Sequence, residues 1–458
     1  MSRNGYDSLN TRKRTTRRNG PDFGKMNRKQ GGSRLPGFFV VLALSVLLGV
    51  VAYKIADKKM NLKPSATTSG EISPSPQPTL SAEITRPLQP TPSLTDGLTE
   101  KYPDGVLEGF VDTRERVNVK GIYVNTAFLG RKAGSTTYPT IDELIELCDT
   151  TEINAMVIDI KDDTGYILYD TGNQMINEIK GRSPYIHDLK SFVQKLKDHN
   201  IYCIARIVTF KDSVTTKARP NMAIKTQSGE IFVDGDGERW LNPYNQEVRN
   251  YLISIAKEAA EAGFDEIQFD YLRMSSSDKL ANADFGDIPE GMTKMDAITQ
   301  FVQYACEELK PLGVFVSGDV FATIINSVAD GERIGQSYVN LSRYLDYICP
   351  MTYPSHYNFG YGGLKYPDTK PFQLLLIEMR ASQKKLSVIG EGEHKAGVRP
   401  WLQDFTANWL GSGKYLEYGP KELRAQISAV YSAGYSEWIL WNAVMQYSKE
   451  GLLRDKDY

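Results

Sequence analysis

The strongest constraint in this chain is an alternation. Eight short runs rich in β-branched and aromatic residues recur between residue 119 and residue 443, and amphipathic helical patterns separate most of them. The runs are VKGIYVNT (119–126), AMVIDIKDD (155–163), YCIARIVTF (202–210), DEIQFDYLR (265–273), VFVSGDVFA (314–322), DYICPMTY (346–353), GVRPWLQDF (397–405) and SEWILWNA (436–443). Between them Leu189, Phe192, Val193 and Leu196 form one apolar stripe, and Val248, Leu252, Ile255 and Ala259 a second. Ile298, Phe301, Val302, Ala305 and Leu309 make a third, and Leu423, Ile427 and Val430 a fourth. Between runs five and six the pattern supports only a short helix, at 338–344. Strands that alternate with helices form parallel sheets, and eight such units predict a closed (β/α)₈ TIM barrel over residues 105–458. An open doubly wound sheet is the rival, but no glycine-rich phosphate fingerprint follows the first run.

Upstream the composition changes. Residues 1–34 hold ten Lys/Arg against two Asp/Glu, a charge of +8, so the other 424 residues carry −10. An acidic body argues against nucleic acid as a partner, because phosphate binding needs a basic face. Residues 35–53, LPGFFVVLALSVLLGVVAY, carry no charge and lie between Arg34 and the lysines Lys54, Lys58 and Lys59. As a helix they span ~28 Å, close to the thickness of a bilayer core. A cleaved signal peptide would have a shorter apolar region and a small-residue cleavage site. The expectation is therefore a single-pass anchor over 35–56, with the basic tail cytoplasmic and the C-terminal mass outside. Residues 57–104, with SPSPQPTL and QPTPSL, read as an extended spacer.

The four cysteines, Cys148, Cys203, Cys306 and Cys349, sit far apart in apolar runs, which suits buried free thiols. No Cys/His ligand spacing occurs among them and the four histidines, so neither a structural zinc nor any other cofactor is expected.

In a TIM barrel the chemistry gathers at the C-terminal ends of the strands. Residues two apart on a strand share a face. Ile158 and Ile160, or Ile267 and Phe269, suit the outer face against helices. Asp159, Lys161, Arg206, Gln268, Asp270 and Asp319 then point inward, and four consecutive strands deliver charge to one mouth. A single buried Asp–Arg pair could merely brace a barrel. Three carboxylates, however, cannot all be neutralised by one guanidinium and one lysine without displaced pKa values, which is what acid–base chemistry uses. Tyr271, Tyr353, Tyr357, Phe359, Tyr361, Trp401 and Trp441 lie at or beyond strand ends, with Trp240 in the long loop after the third strand. Aromatic rings stack on the C–H faces of sugars, so such a rim suits a carbohydrate. In WLNPYNQEV (240–248), Asn245 is placed to cap the helix that follows.

GIYVNTAFLG, NAMVIDIKDDTGYILYD, IARIVTFKD, WLNPYNQEV, GFDEIQFDYLRM and ICPMTYPSHY together resemble a bacterial family described as a putative glycoside hydrolase domain. That family is related to the α-amylase-like barrels and often follows an N-terminal membrane anchor, and the resemblance covers roughly residues 118–450. In amylase-like barrels a nucleophilic Asp ends strand four and a Glu acid ends strand five. The resemblance puts Asp270 at the first position. Asp319 stands where the Glu is usual, and Gln268 where an Arg is usual, two residues before the nucleophile. Residues and resemblance together make hydrolysis of a glycosidic bond in a cell-envelope or extracellular polysaccharide the leading expectation. Asp270 is the expected nucleophile or base, steadied by Arg206 or Arg273, and Asp319 the expected acid. Asp159 and Lys161 are candidate contacts to sugar hydroxyls, with Asp162 as a substitute carboxylate. Tyr353, Trp401, Trp441 and Asn442 complete the candidate substrate-binding set. Whether such a pair retains or inverts configuration depends on its separation, about 5 Å against roughly 6.5–9.5 Å. Two other readings compete: a non-catalytic glycan-binding or scaffold barrel, and a metal-dependent deacetylase, which the scarcity of histidine near acidic motifs disfavours.

Overall fold

The computed structural model describes residues 110–133 and 136–453. The basic tail, the anchor at 35–56 and the spacer at 57–104 lie outside the described residues. Among those described, no helix is long and apolar enough to cross a membrane.

Eight parallel strands close on themselves. They are β1 (Lys120–Val124), β2 (Ala155–Lys161), β3 (Tyr202–Val208), β4 (Glu266–Asp270), β5 (Phe315–Phe321), β6 (Tyr347–Met351), β7 (Trp401–Gln403) and β8 (Trp438–Trp441). Each pairs with the next, and β8 returns to β1 through Lys120–Trp438 and Gly121–Ile439. The crossovers carry α1 (Ile141–Asp149), α2 (Leu189–Lys197), α3 (Gln246–Ala262), α4 (Lys294–Leu309), α5 (Val328–Ile334), α6 (Tyr338–Ser342), α7 (Pro371–Leu386) and α8 (Pro420–Ser432). The strand boundaries fall inside the expected runs. In the fifth crossover the short helix expected at 338–344 is present as α6, and α5 precedes it.

Local chemistry explains where the helices begin and end. Thr140 and Glu143 form a capping box on α1, as Thr293 and Asp296 do on α4. Asn245 accepts from the Glu247 N–H at the start of α3, as its position suggested. Gly263 ends that helix in the left-handed region, at φ 100°.

Two apolar layers result from strand alternation. Ile158, Ile160, Ala205, Ile207, Ile267, Phe269, Val316, Val320 and Ile348 face the helices. The barrel interior holds Tyr123, Val157, Ile204, Phe315, Tyr347, Cys349, Trp401, Ile439 and Trp441. All four cysteines are buried and free.

The N-terminal ends of the strands are plugged by charge. Arg399 is fully buried, donates Nη1 to both oxygens of Glu266 at 2.8 and 2.9 Å, and gives Nε to Glu437 at 2.8 Å. Its guanidinium lies 3.8 Å from the Tyr347 ring centroid. Arg114 adds a latch at the same end, donating to Val314 O at 2.6 Å and to Asp346 at 2.9 and 3.1 Å. Residues 110–119 therefore join the barrel on the face opposite the strand C-termini.

Candidate active site

The site grows from the last inward positions of β2 to β5. Arg206 lies between two carboxylates. Its Nη1 donates to Asp159 Oδ1, and its Nη2 and Nε both donate to Asp270 Oδ2, the latter at 3.1 Å. Each of the three is at least 96 % buried. Burial works against the Arg206 charge, but the Asp159 and Asp270 carboxylates outweigh it and hold the guanidinium protonated. The Tyr123 hydroxyl donates to Asp159 Oδ2, and the Tyr123 ring stacks on Trp441 at 4.1 Å between centroids. The guanidinium carbon lies 5.5 Å from the Tyr123 ring and 5.8 Å from the Trp441 ring.

Asp319, on β5, is the third carboxylate and forms no ion pair among the described residues. Its Oδ1 accepts a 2.7 Å bond from the Trp401 indole N–H. Burial, reinforced by the negative field of Asp270, pushes the Asp319 carboxyl well above the usual carboxylate range; Trp401 and the more distant Arg206 only partly offset this. One guanidinium thus serves two carboxylates, while burial and the field of Asp270 favour the protonated form of the third. Trp401→Phe removes the indole donor that favours the ionised form. The expected result is an alkaline limb of the pH–rate profile displaced to higher pH, measured as kcat/KM against pH.

Polar atoms without partners surround this trio. The Tyr353 hydroxyl, Gln268 Oε1 and Ser317 Oγ are all buried and accept or donate no hydrogen bond among the described residues. The Tyr353 hydroxyl feels the charges of Asp319, Asp270 and Arg206. Gln268 contacts Cys349 Sγ at 3.5 Å, one layer below Asp270. Buried polar groups in a native interior are normally satisfied, so this concentration points to a place for water or ligand hydroxyls.

Backbone strain adds to it. Tyr271, directly after Asp270, sits at φ 49°, a region that non-glycine residues adopt uncommonly. This turn lets its N–H donate to Asp270 Oδ1 at 2.5 Å, and the ring stands 5.1 Å from Lys211 Nζ. Lys211 in turn pairs with Asp163 at 3.1 Å, and the Lys211 charge holds Asp163 below its ordinary pKa. The Asp163 side chain is 42 % exposed, which makes this pair the polar lip of the mouth.

Other residues expected at the mouth stand elsewhere. A register shift between Asp159 and Lys161 breaks the alternation of β2. Lys161 is consequently turned to Asp212, at 3.0 Å, and to Val208 O, at 2.7 Å, away from the trio. Gly165 makes room for that arrangement, since a Cβ there would lie 2.0 Å from Asp212 Oδ1. Asp162 caps its own turn, accepting from the N–H groups of Thr164, Gly165 and Tyr166, and burial pushes its carboxyl up to about 7. Asn442 ties down the loop after β8 through Asp404 O, Gln446 O and the Val444 N–H. Arg273 is buried against Trp240, Tyr271 and Phe321 at 4.6–5.1 Å from their centroids, donating to Met274 O. It steadies the loop, and burial lowers its pKa to about 10. Of the aromatic rim, Trp240, Tyr353, Tyr357, Trp401 and Trp441 are buried packing elements instead of exposed platforms.

Tyr123 and the Asp163–Lys211 pair were not singled out from the sequence. Alternation along β1 could have pointed to Tyr123. Asp163 and Lys211 lie beyond their strands, where alternation no longer applies.

The profile of the family described as "Putative glycosyl hydrolase domain" matches residues 121–447, nearly the whole barrel. The chain belongs to this family. Membership makes it a glycosidase domain. No curated protein is a significant match. Among solved structures, the PgaB (BpsB) glycoside hydrolase domain from Bordetella bronchiseptica is 14 % identical, with TM-score 0.51 over 71 % of this chain and 94 % of that one. It shares the fold. A hypothetical protein from Ruminiclostridium thermocellum ATCC 27405 is 36 % identical over 43 % of this chain and 97 % of its own, with TM-score 0.38.

Proposed function

We propose that this domain cleaves glycosidic bonds in a cell-envelope or extracellular polysaccharide, with Asp319 as general acid and Asp270 as base or nucleophile. One observation carries the assignment: neighbouring carboxylates differ in environment, Asp270 held by Arg206 and Asp319 without an ion pair among the described residues. Glycoside hydrolysis needs this asymmetry, one proton for the leaving oxygen and one anion for the sugar carbon or the attacking water. Asp159 positions Arg206, and the buried Tyr353 hydroxyl and Gln268 Oε1 have no hydrogen-bond partner among the described residues. Asp270→Asn and Asp319→Asn, assayed on a panel of glycans, should each lower turnover by about 10²–10⁴. Unchanged turnover in both would sink the assignment.

The cellular setting we propose is a single-pass membrane protein whose barrel lies outside the cell. The uncharged segment 35–53 and its basic flanks motivate this. The arrival of residues 110–119 at the face opposite the mouth is compatible with such a tether, because it leaves the strand C-termini unobstructed. Deleting residues 35–53 should move the protein from the membrane fraction to the soluble one; no redistribution would count against the anchor.

A further inference from the structure

Five tryptophans occur in the chain, all among the described residues. Trp240, Trp401, Trp438 and Trp441 are at most 8 % exposed, whereas Trp409 is 40 % exposed. Here its neighbours do the anchoring. Trp409 lies in a short 3-10 turn, Asn408–Leu410, on the loop after β7. Ala407 and Leu410 on either side are buried at 0 and 7 % exposure, and the Leu410 N–H donates to Ala407 O at 3.1 Å. The turn is thus held by Ala407 and Leu410 while the indole is presented outward.

That indole belongs to a row of rings leading to the carboxylates. Trp409 lies near-parallel to half-buried Phe405, with centroids 6.0 Å apart and planes at 20°. Phe405 meets Tyr353 edge-on, also at 6.0 Å, and packs on the aromatic cluster inside the barrel. Tyr353 is the residue whose free hydroxyl lies in the field of Asp319 and Asp270. Two ring-to-ring steps therefore join an exposed indole to the catalytic mouth. All of this sits at the C-terminal ends of the strands, away from the face where residues 110–119 enter.

We infer that Trp409 and Phe405 form a distal sugar-binding platform, and that the substrate is a glycan chain long enough to lie on it while its scissile bond reaches Asp270 and Asp319. The inference rests on the glycosidase reading and adds the substrate's length and direction of exit. Stacking supplies the recognition: the C–H faces of successive pyranose rings lie on the aromatic rings, without any charge on the sugar. Continuity with the mouth favours a glycan over a lipid surface or a protein partner as the occupant.

The test is calorimetric titration of the full-length chain with hexasaccharides and disaccharides of the chito, cello and malto series. Wild type should bind at least one hexasaccharide more tightly than its disaccharide. Trp409→Ala should erase most of that preference, roughly five- to tenfold in Kd, and Trp409→Phe should keep much of it. Melting temperatures of both variants check that the fold is intact. A wild type with no length preference, or a Trp409→Ala variant that retains it, overturns the platform. So does loss of liposome binding with glycan binding intact, which would make Trp409 a membrane contact. Failure of Asp270→Asn and Asp319→Asn to lower turnover strikes the catalytic assignment instead, and repeating the titrations in the Asp319→Asn background separates binding from cleavage.

Discussion

Asp319→Asn is expected to lose turnover and gain stability together. The loss follows from removing the carboxyl assigned as the general acid, roughly 10²–10⁴ in kcat/KM. The gain follows from linkage. The Asp319 carboxyl is raised in the folded protein, by burial first and by the field of Asp270 second. Between the unfolded carboxyl pKa of about 3.9 and the raised folded value, the unfolded chain binds fewer protons than the folded one. Wild-type stability therefore falls as pH rises through that window, and at neutral pH the penalty is present. Asparagine keeps an oxygen to accept from the Trp401 indole and has no charge to bury. Denaturant unfolding should show the variant level with wild type near pH 3 and above it at pH 7. A wild-type and variant difference independent of pH would refute the buried, protonated Asp319. The same comparison exposes a trade between stability and activity, as expected where a site is built on a disfavoured group.

Arg206→Met should strongly destabilise the barrel. Among the described residues Arg206 is the one cation bonded to both Asp159 and Asp270, and its removal strands two carboxylates that are 3 % and 2 % exposed. Breaking a buried ion pair from one side costs about 3–5 kcal/mol, because an uncompensated charge remains inside. The deficit should shrink in acid, where the stranded carboxylates can take up protons. Arg206→Lys should rescue little, since one ammonium cannot reproduce the separate Nη1 and Nε/Nη2 contacts. Urea unfolding at pH 7 and pH 4 measures both effects. A stability close to wild type at pH 7 would mean that the trio is not held as described.

Much of this was legible in the sequence because barrel strands obey a period of two. Inward Asp159, Arg206, Gln268, Asp270 and Asp319 follow from outward Ile158, Ala205, Ile267, Phe269 and Val320, and the eight runs sufficed to predict the closed sheet. The period fails where the backbone does something aperiodic. The shift in β2 sends Lys161 to Asp212, and Asp162 turns back to cap its own loop, leaving Asp163 at the mouth with Lys211.

Sequence by itself determined the barrel, the end of the barrel that holds Asp159, Arg206, Asp270 and Asp319, and the excess of carboxylates over cations among them. Those properties are set by periodicity and composition along the chain. Only the tertiary structure decided which carboxylate Arg206 leaves alone, and that Trp409 stands partly in water while Trp401 and Trp441 at the strand ends are buried. Both depend on which side chains meet across strands and loops far apart in sequence, where neither spacing nor residue type specifies the partner.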